Sequence, residues 1–315
     1  MRFTVVILLF CGLGADAQMI IKAHANYVPF ASANLLLDQY SGAAGAYSLR
    51  KLRTAYTGSA IRVRRSNDNT EQDIGFVGND LDTASLKTFV GANSGFVTTW
   101  YDQSTNADDV INTSAANQPR IVNAGTVERI AGEPSIFFDG SNDRLGSRTI
   151  NTLISKFNGE DKPVSNFAVI NKTNTNTTGT LYSFGNQVQS NPFIRSLLTN
   201  SATFQFQIRD SAGTGGITSI TSTNTYSANT NYLFTTLQTG TNCSLFINNT
   251  DRTPASNSTN VGTLPLGRFS LGTLGRGNEQ DFFGGYISEN IIYNSSQSSN
   301  RTGIETNINN YYGIY

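Results

Sequence analysis

Residues 203–208 read TFQFQI, with Phe204, Phe206 and Ile208 alternating with Thr203, Gln205 and Gln207. A period of two is the pattern of a strand with one face in a core and the other toward water or a ligand. Working outward, short runs of the same character recur at 96–101, 135–138, 166–170, 180–184, 232–238, 244–247, 268–271 and 282–293, separated by polar turns in a chain with 29 glycines. Regular short strands with this punctuation indicate an all-β protein, a β-sandwich. The Asn- and Thr-rich patches at 171–178 and 221–231 read as solvated loops.

Three helices are expected around this sandwich. Residues 43–56 place Ala46, Leu49, Leu52 and Tyr56 at helical spacing with Gly58 as a stop. Residues 83–90 follow Asp82 as N-cap and precede Gly91. Residues 299–312 set Ile304, Ile308 and Tyr311 on one side, as a closing strut on the sandwich. No repeat of fixed period and no long linker divides the chain, so residues 18–315 read as one elaborated domain.

The densest charge lies in AYTGSAIRVRRSNDNTEQDIGF, residues 55–76. In a strand, Arg62 and Arg64 share one face and Ile61 and Val63 the other, and Asp68, Glu71 and Asp73 follow closely enough to pair with the guanidiniums. The run is either an ion network bracing a turn or an anion site.

The 315 residues are 38% hydrophobic and 14% charged, with formal net charge zero. That balance argues against a nucleic-acid partner, which needs a clustered positive field. Residues 1–17 carry Arg2, an apolar run at 3–9 and Ala15-Asp16-Ala17, the pattern of a secretory signal peptide. No later segment approaches the roughly 20 apolar residues of a membrane span, so a secreted or surface-attached protein is expected. Cys11 falls in the leader, after Leu8-Leu9-Phe10, a poor lipidation context. That leaves Cys243 with no intrachain disulfide partner. His24, near the expected mature N-terminus, is the single histidine, which argues strongly against a Ser/His/Asp triad, a Cys/His pair and a multi-histidine metal site. Any catalysis falls to carboxylates. Asn-x-Ser/Thr sequons stand at Asn112, Asn171, Asn257 and Asn294.

Phe137-Phe138-Asp139-Gly140-Ser141-Asn142-Asp143, Leu245-Phe246-Ile247-Asn248-Asn249 and the run from Gly284 to Asn294 before the terminal helix resemble laminin-G-like, concanavalin-A-like jelly rolls. The N-terminal part is similar to the arabinofuranosidase B catalytic-domain family through Tyr47-Ser48-Leu49-Arg50, the run 62–73, and Trp100-Tyr101-Asp102-Gln103-Ser104 with Asp108-Asp109. The resemblance implies a concanavalin-A-like jelly-roll sandwich. It also implies a retaining glycosidase, which needs two carboxylates roughly 5 Å apart. In the family pattern the nucleophile is a Glu in a strand ending aromatic-Gly-Asn, and the matching run here, 179–186, has no acid. The acid/base Asp follows paired glycines, where this chain reads Gly275-Arg276-Gly277-Asn278, with Glu279 and Asp281 later. The family's cysteines are missing too.

The expectation is therefore a secreted, non-catalytic jelly-roll protein that binds a glycan or cell-surface polysaccharide, or is adhesive, through Arg64, Trp100, Tyr101, Asp102 and Gln103. Trp100 alternatively packs in the core, and Asp102 and Gln103 alternatively cap the following turn. Two other classes stay open. One is an α-L-arabinofuranosidase-like hydrolase with substitute acids among Asp73, Asp102, Glu279 and Asp281. The other is a self-assembling coat, fibre or appendage subunit. No cofactor is expected, apart from Ca²⁺, for which Asp139 with Asp143, or Asp108 with Asp109, offer oxygens.

Overall fold

The computed structural model describes residues 35–147, 151–159, 162–212, 216–259 and 262–315. The leader, Cys11 and His24 lie outside them. The long Gly284–Tyr293 strand organises one layer. On one side it pairs with Gly45–Ser48 and Ile136–Asp139, and on the other with Val164–Lys172, then Asn231–Gln238 and Cys243–Ile247. The second layer runs Thr218–Thr225, Thr203–Arg209, Phe193–Leu198, Gly179–Gly185, Arg268–Leu271, Leu145–Ser147, Val110–Ile111, Gly95–Trp100, Ile61–Arg65 and Glu71–Ile74. Every one of these pairings is antiparallel. The layers join where Gly95–Trp100 also pairs with Arg120–Asn123, which reaches Ile136–Asp139 through Phe137 and Arg120. The fold is thus an antiparallel β-sandwich of jelly-roll type.

The core between the layers includes Tyr47, Trp100, Phe138, Phe184, Phe206, Phe234, Phe269 and Ile292. Tyr47 stacks on Phe269 and meets Trp100 edge-on, with centroids 5.9 and 6.2 Å apart. A second apolar cluster covers the outside of the first layer. There Ile304, Ile308 and Tyr312 of the Arg301–Tyr312 helix pack on Phe167, Val169, Leu233 and Ile291. Gly313 ends that helix in the left-handed conformation at φ +60, which glycine adopts without a Cβ penalty. The expected strut is therefore present, and so is the Thr83–Val90 helix, whose N-cap Asp82 accepts from Ser85 N.

Residues 43–56 form no helix. Gly45–Ser48 is a strand buried on both faces, with Tyr47 in the inner cluster and Ala46 in the outer one, followed by irregular chain with a turn at 54–55. Pairing with the central strand overrides a helical pattern that small residues can satisfy either way. Thr218–Thr225 is likewise a strand and not a loop, since threonine suits a pleated, half-buried ladder. Asn171 and Lys172 belong to the end of a buried strand. Phe193–Leu198 and the Thr152–Phe157 helix had no expectation attached to them.

The arginine-rich run is a brace. Arg62 pairs with Asp73 at 2.8 Å and Arg65 with Asp68 at 2.6 Å. Arg64 donates to Gln118 Oε1, Asn69 Oδ1 and the Ala115 carbonyl, and lies 5.0 Å over the Phe96 ring.

Candidate functional site

Strand alternation decides what the second layer shows on its outside. Phe204, Phe206 and Ile208 point into the core, which leaves Gln205 and Gln207 outward. Across the ladder, the register sets Gln207 beside Arg195, Arg195 beside Ser183, Ser183 beside Ser270, Ser270 beside Gly146, and Gly146 beside Ile111. Neighbouring side chains on this row bond to one another: Arg195 Nε donates to Gln207 Oε1, and Gln207 Nε2 to Gln205 Oε1.

Residues 273–281 cross over this face. Ser183, fully buried, holds them by donating from its Oγ to the Thr273 carbonyl at 2.8 Å and accepting from Gly275 N at 2.9 Å. The approach is so close that a Cβ at Gly185 would lie 2.1 Å from the Gly275 carbonyl oxygen. The crossing segment carries both weak catalytic candidates. Glu279 pairs with Arg144 Nε at 2.8 Å and with Arg268. Asp281 pairs with Arg195 at 2.6 Å, and its carbonyl accepts from Thr180 N at the start of Gly179–Gly185. Asp281 sits at φ +53, in the left-handed region that aspartate and asparagine enter more readily than other non-glycine residues.

A cavity of about 470 Å³ opens beside this segment. Arg144, Arg268, Ser270, Asn112, Asn117 and Asp109 are on its walls, with Ile111 half exposed at its edge. Ser270 Oγ is buried and has no hydrogen-bond partner among the described residues. Burial pushes the Asp109 carboxyl up, the Asp102 N–H bonded to it pulls it down, and the Asp108 charge pushes it up again. Among the described residues Asp109 is the one carboxyl lining the cavity, although Glu279 is tied to two of its arginines.

The five expected ligand residues do not converge on this cavity. Trp100 is wholly inside the core. Asp102 is buried and collects the N–H groups of Ala46, Ser104 and Asp108 and the Ser104 hydroxyl. Gln103 is buried with both amide atoms used, accepting from Leu52 N and donating to the Ser48 and Arg50 carbonyls. Arg64 is committed as described, and Tyr101 donates to Asp73 Oδ1 at 2.7 Å. In this structure the buried polar groups of Asp102 and Gln103 satisfy backbone that leaves the sheet. Arg144, Arg268, Ser270, Asn112 and Asn117 were not anticipated, because they gather from separate strands and loops. For Arg268 and Ser270 the outward half of their strand's alternation was the only signal, and the loop residues had none.

The calcium candidates are also engaged by backbone. Asp139 Oδ1 accepts from Ser141 N at 2.8 Å and Asn142 N at 3.2 Å, Asp143 Oδ2 from Asp139 N at 2.9 Å, and Asp108 Oδ2 from Leu153 N at 2.6 Å. Among the described residues no three acidic, His or Cys side chains form a metal-holding group.

Burial, reinforced by the charge of Asp139, raises the Asp143 carboxyl to about 7. The unfolded chain loses that proton near pH 4, about where a free Asp titrates. The native state therefore binds more protons between about pH 4 and 7, so this group makes stability fall as pH rises through that window and leaves it level above. Asp143→Asn is expected to flatten that dependence in urea-unfolding midpoints taken from pH 4.5 to 8. An unchanged slope would assign the effect to another group.

Residues 39–142 match the family described as alpha-L-arabinofuranosidase B, catalytic. No curated protein matches the chain. Among solved structures, a GH54 α-L-arabinofuranosidase soaked with a cyclic sulfate inhibitor superposes with TM-score 0.63 at 14% identity, over 87% of this chain and 64% of that one. An arabinofuranosidase complexed with arabinofuranosyl-alpha-1,2-xylobiose gives 0.64 at 13% identity with the same coverage. The chain thus spans less than two thirds of the length of those two structures, and at such identities the likeness is one of fold. The similarity to the arabinofuranosidase B catalytic-domain family is nonetheless plain in both sequence and architecture.

Proposed function

We propose that the protein is a secreted, non-catalytic jelly-roll domain that binds carbohydrate in the cavity beside residues 273–281. The observation that carries this reading is the cavity's chemistry: amides, hydroxyls and guanidiniums converge there beside an exposed aliphatic edge, the groups that hold a sugar by hydrogen bonds and by its apolar face. Support comes also from an arabinofuranosidase of this fold crystallised with arabinofuranosyl-alpha-1,2-xylobiose. Against catalysis stands the lack of an acid in 179–186, with Glu279 and Asp281 held by arginines.

Calorimetric titration with arabinofuranosyl-substituted xylo-oligosaccharides is expected to show binding that Ile111→Arg weakens at least tenfold. Ile111 is outside the core, so a long side chain there crosses the cavity edge without disturbing packing. Unchanged affinity in that variant would move the site elsewhere.

A displaced-acid hydrolase is the second reading. It is favoured by Asp281 meeting the start of Gly179–Gly185 and by the raised Asp109 carboxyl on the cavity wall. Turnover of 4-nitrophenyl α-L-arabinofuranoside that vanishes in Asp109→Asn or Asp281→Asn would replace the binding reading with this one.

A further inference from the structure

Next to the sugar cavity, the outer row of the second layer ends in a cluster of cations. Arg268 stands opposite Gly185, Gly185 opposite Phe193, and Phe193 opposite Arg209. Neighbouring strands are roughly 4.8 Å apart, so this row spans roughly 14 Å across the sheet. The guanidiniums of Arg195 and Arg276 lie 5.5 and 5.6 Å over the fully buried Phe193 ring. Arg276 Nη1 also donates to the Ser190 carbonyl. Arg209, across from the same ring, has a buried Nε with no hydrogen-bond partner among the described residues.

Two carboxylates are paired within this group, Asp281 with Arg195 and Glu279 with Arg268. Asp210 follows Arg209 in the chain and adds a third carboxylate nearby. The crowding registers on the cations: burial pulls Arg276 down, Asp281 pushes it up, and the Arg209 charge pulls it down again. The four guanidiniums of Arg195, Arg209, Arg268 and Arg276, set against the carboxylates of Asp281, Glu279 and neighbouring Asp210, leave a local positive field. Covering Phe193 accounts for Arg195 and Arg276 as packing. It does not account for Arg209, whose buried donor needs an acceptor.

We infer that Arg209 and Arg276, around Phe193, form an anion subsite beside the sugar cavity, so that the preferred ligand is an acidic glycan bearing a uronic-acid carboxylate or a sulfate ester. The inference rests on the carbohydrate-binding reading and specifies its ligand class. Planar forks suit either oxyanion. Arg268, on the cavity wall and donating toward the Arg276 carbonyl, places the two sites side by side.

The test is calorimetric titration of the full chain with four probes: oligogalacturonate, a sulfated oligosaccharide, a neutral arabino-xylo-oligosaccharide and polyglutamate as a non-sugar anion. At least one acidic sugar is expected to bind tenfold or more tighter than the neutral one, with an advantage that shrinks as salt rises. The ratio between the two acidic probes distinguishes carboxylate from sulfate. Arg209→Ala with Arg276→Ala is expected to erase the advantage and leave neutral-sugar affinity unchanged. Neither residue belongs to the inner core cluster, and the circular dichroism spectrum checks that the double variant folds. Equal binding of acidic and neutral sugars, an unaltered acidic advantage in the double variant, or equally tight polyglutamate would overturn the anion subsite while leaving the carbohydrate reading standing. Absence of binding to every sugar would overturn the carbohydrate reading itself.

Discussion

Glu289→Ala is expected to cost about 3–5 kcal/mol of stability, the range for stranding one partner of a buried ion pair. Glu289 is wholly buried and takes Arg50 in bidentate fashion, Nε to Oε2 at 2.8 Å and Nη2 to Oε1 at 3.0 Å, while the Ser48 hydroxyl donates to Oε2 at 2.7 Å. Burial pulls the Arg50 guanidinium down, but Glu289 more than offsets this and leaves it raised. Arg50 also lies 5.0 Å over the Tyr311 ring and 5.9 Å over Tyr312, which ties the Arg301–Tyr312 helix to the first layer. Removing the carboxylate leaves a cation among aromatic rings with no counter-charge. Urea unfolding measures the loss, and the double variant Arg50→Met, Glu289→Leu should lose less than Glu289→Ala alone, because neither charge is then stranded. A loss under about 1 kcal/mol in the single variant would mean that water reaches Arg50.

The second large effect is at Asp102. Asp102→Ala strands the N–H groups of Ala46, Ser104 and Asp108 and the Ser104 hydroxyl, bonded at 2.8, 2.8, 3.0 and 2.6 Å in a region with 2% exposure. Each buried donor left unsatisfied costs about 1–3 kcal/mol, and local rearrangement recovers part of the sum, so a total of about 3–5 kcal/mol is expected. Asp102→Asn, with one acceptor oxygen in place of two, should fall between alanine and the native residue. The same variants separate fastening from ligand contact. A stable Asp102→Asn protein that has lost glycan affinity would return Asp102 to the binding site. A destabilised protein with native affinity is the expected outcome.

The architecture was readable where side chains alternate or cap. TFQFQI exposes its period directly, Asp82 and Gly91 bracket their helix, and Gly313 stops the last one. Residues 43–56 misled because Ala46, Leu49 and Leu52 satisfy a helical spacing while being buried on both sides of a strand and its continuation. Thr218–Thr225 was hidden by composition, since threonine signals a loop in a polar tract and a strand once a neighbour supplies the ladder. The site was legible only in part. Glu279 and Asp281 were identified as residues, but the arginines that bind them come from 144, 195 and 268, and no local pattern joins positions so far apart. Trp100-Tyr101-Asp102-Gln103 is ambiguous for the opposite reason: aromatic and polar residues in sequence suggest a sugar platform, and a chain leaving a sheet uses the same polar groups to satisfy its own backbone.

The Arg301–Tyr312 helix occupies the outside of the first layer, whereas the cavity and the arginine cluster open on the outside of the second. The domain therefore has a back and a front. A tether placed after Tyr315 would anchor it by its covered side and turn the groove away from the support, so C-terminal immobilisation on a bead or sensor chip is the orientation that leaves the front accessible to a polysaccharide.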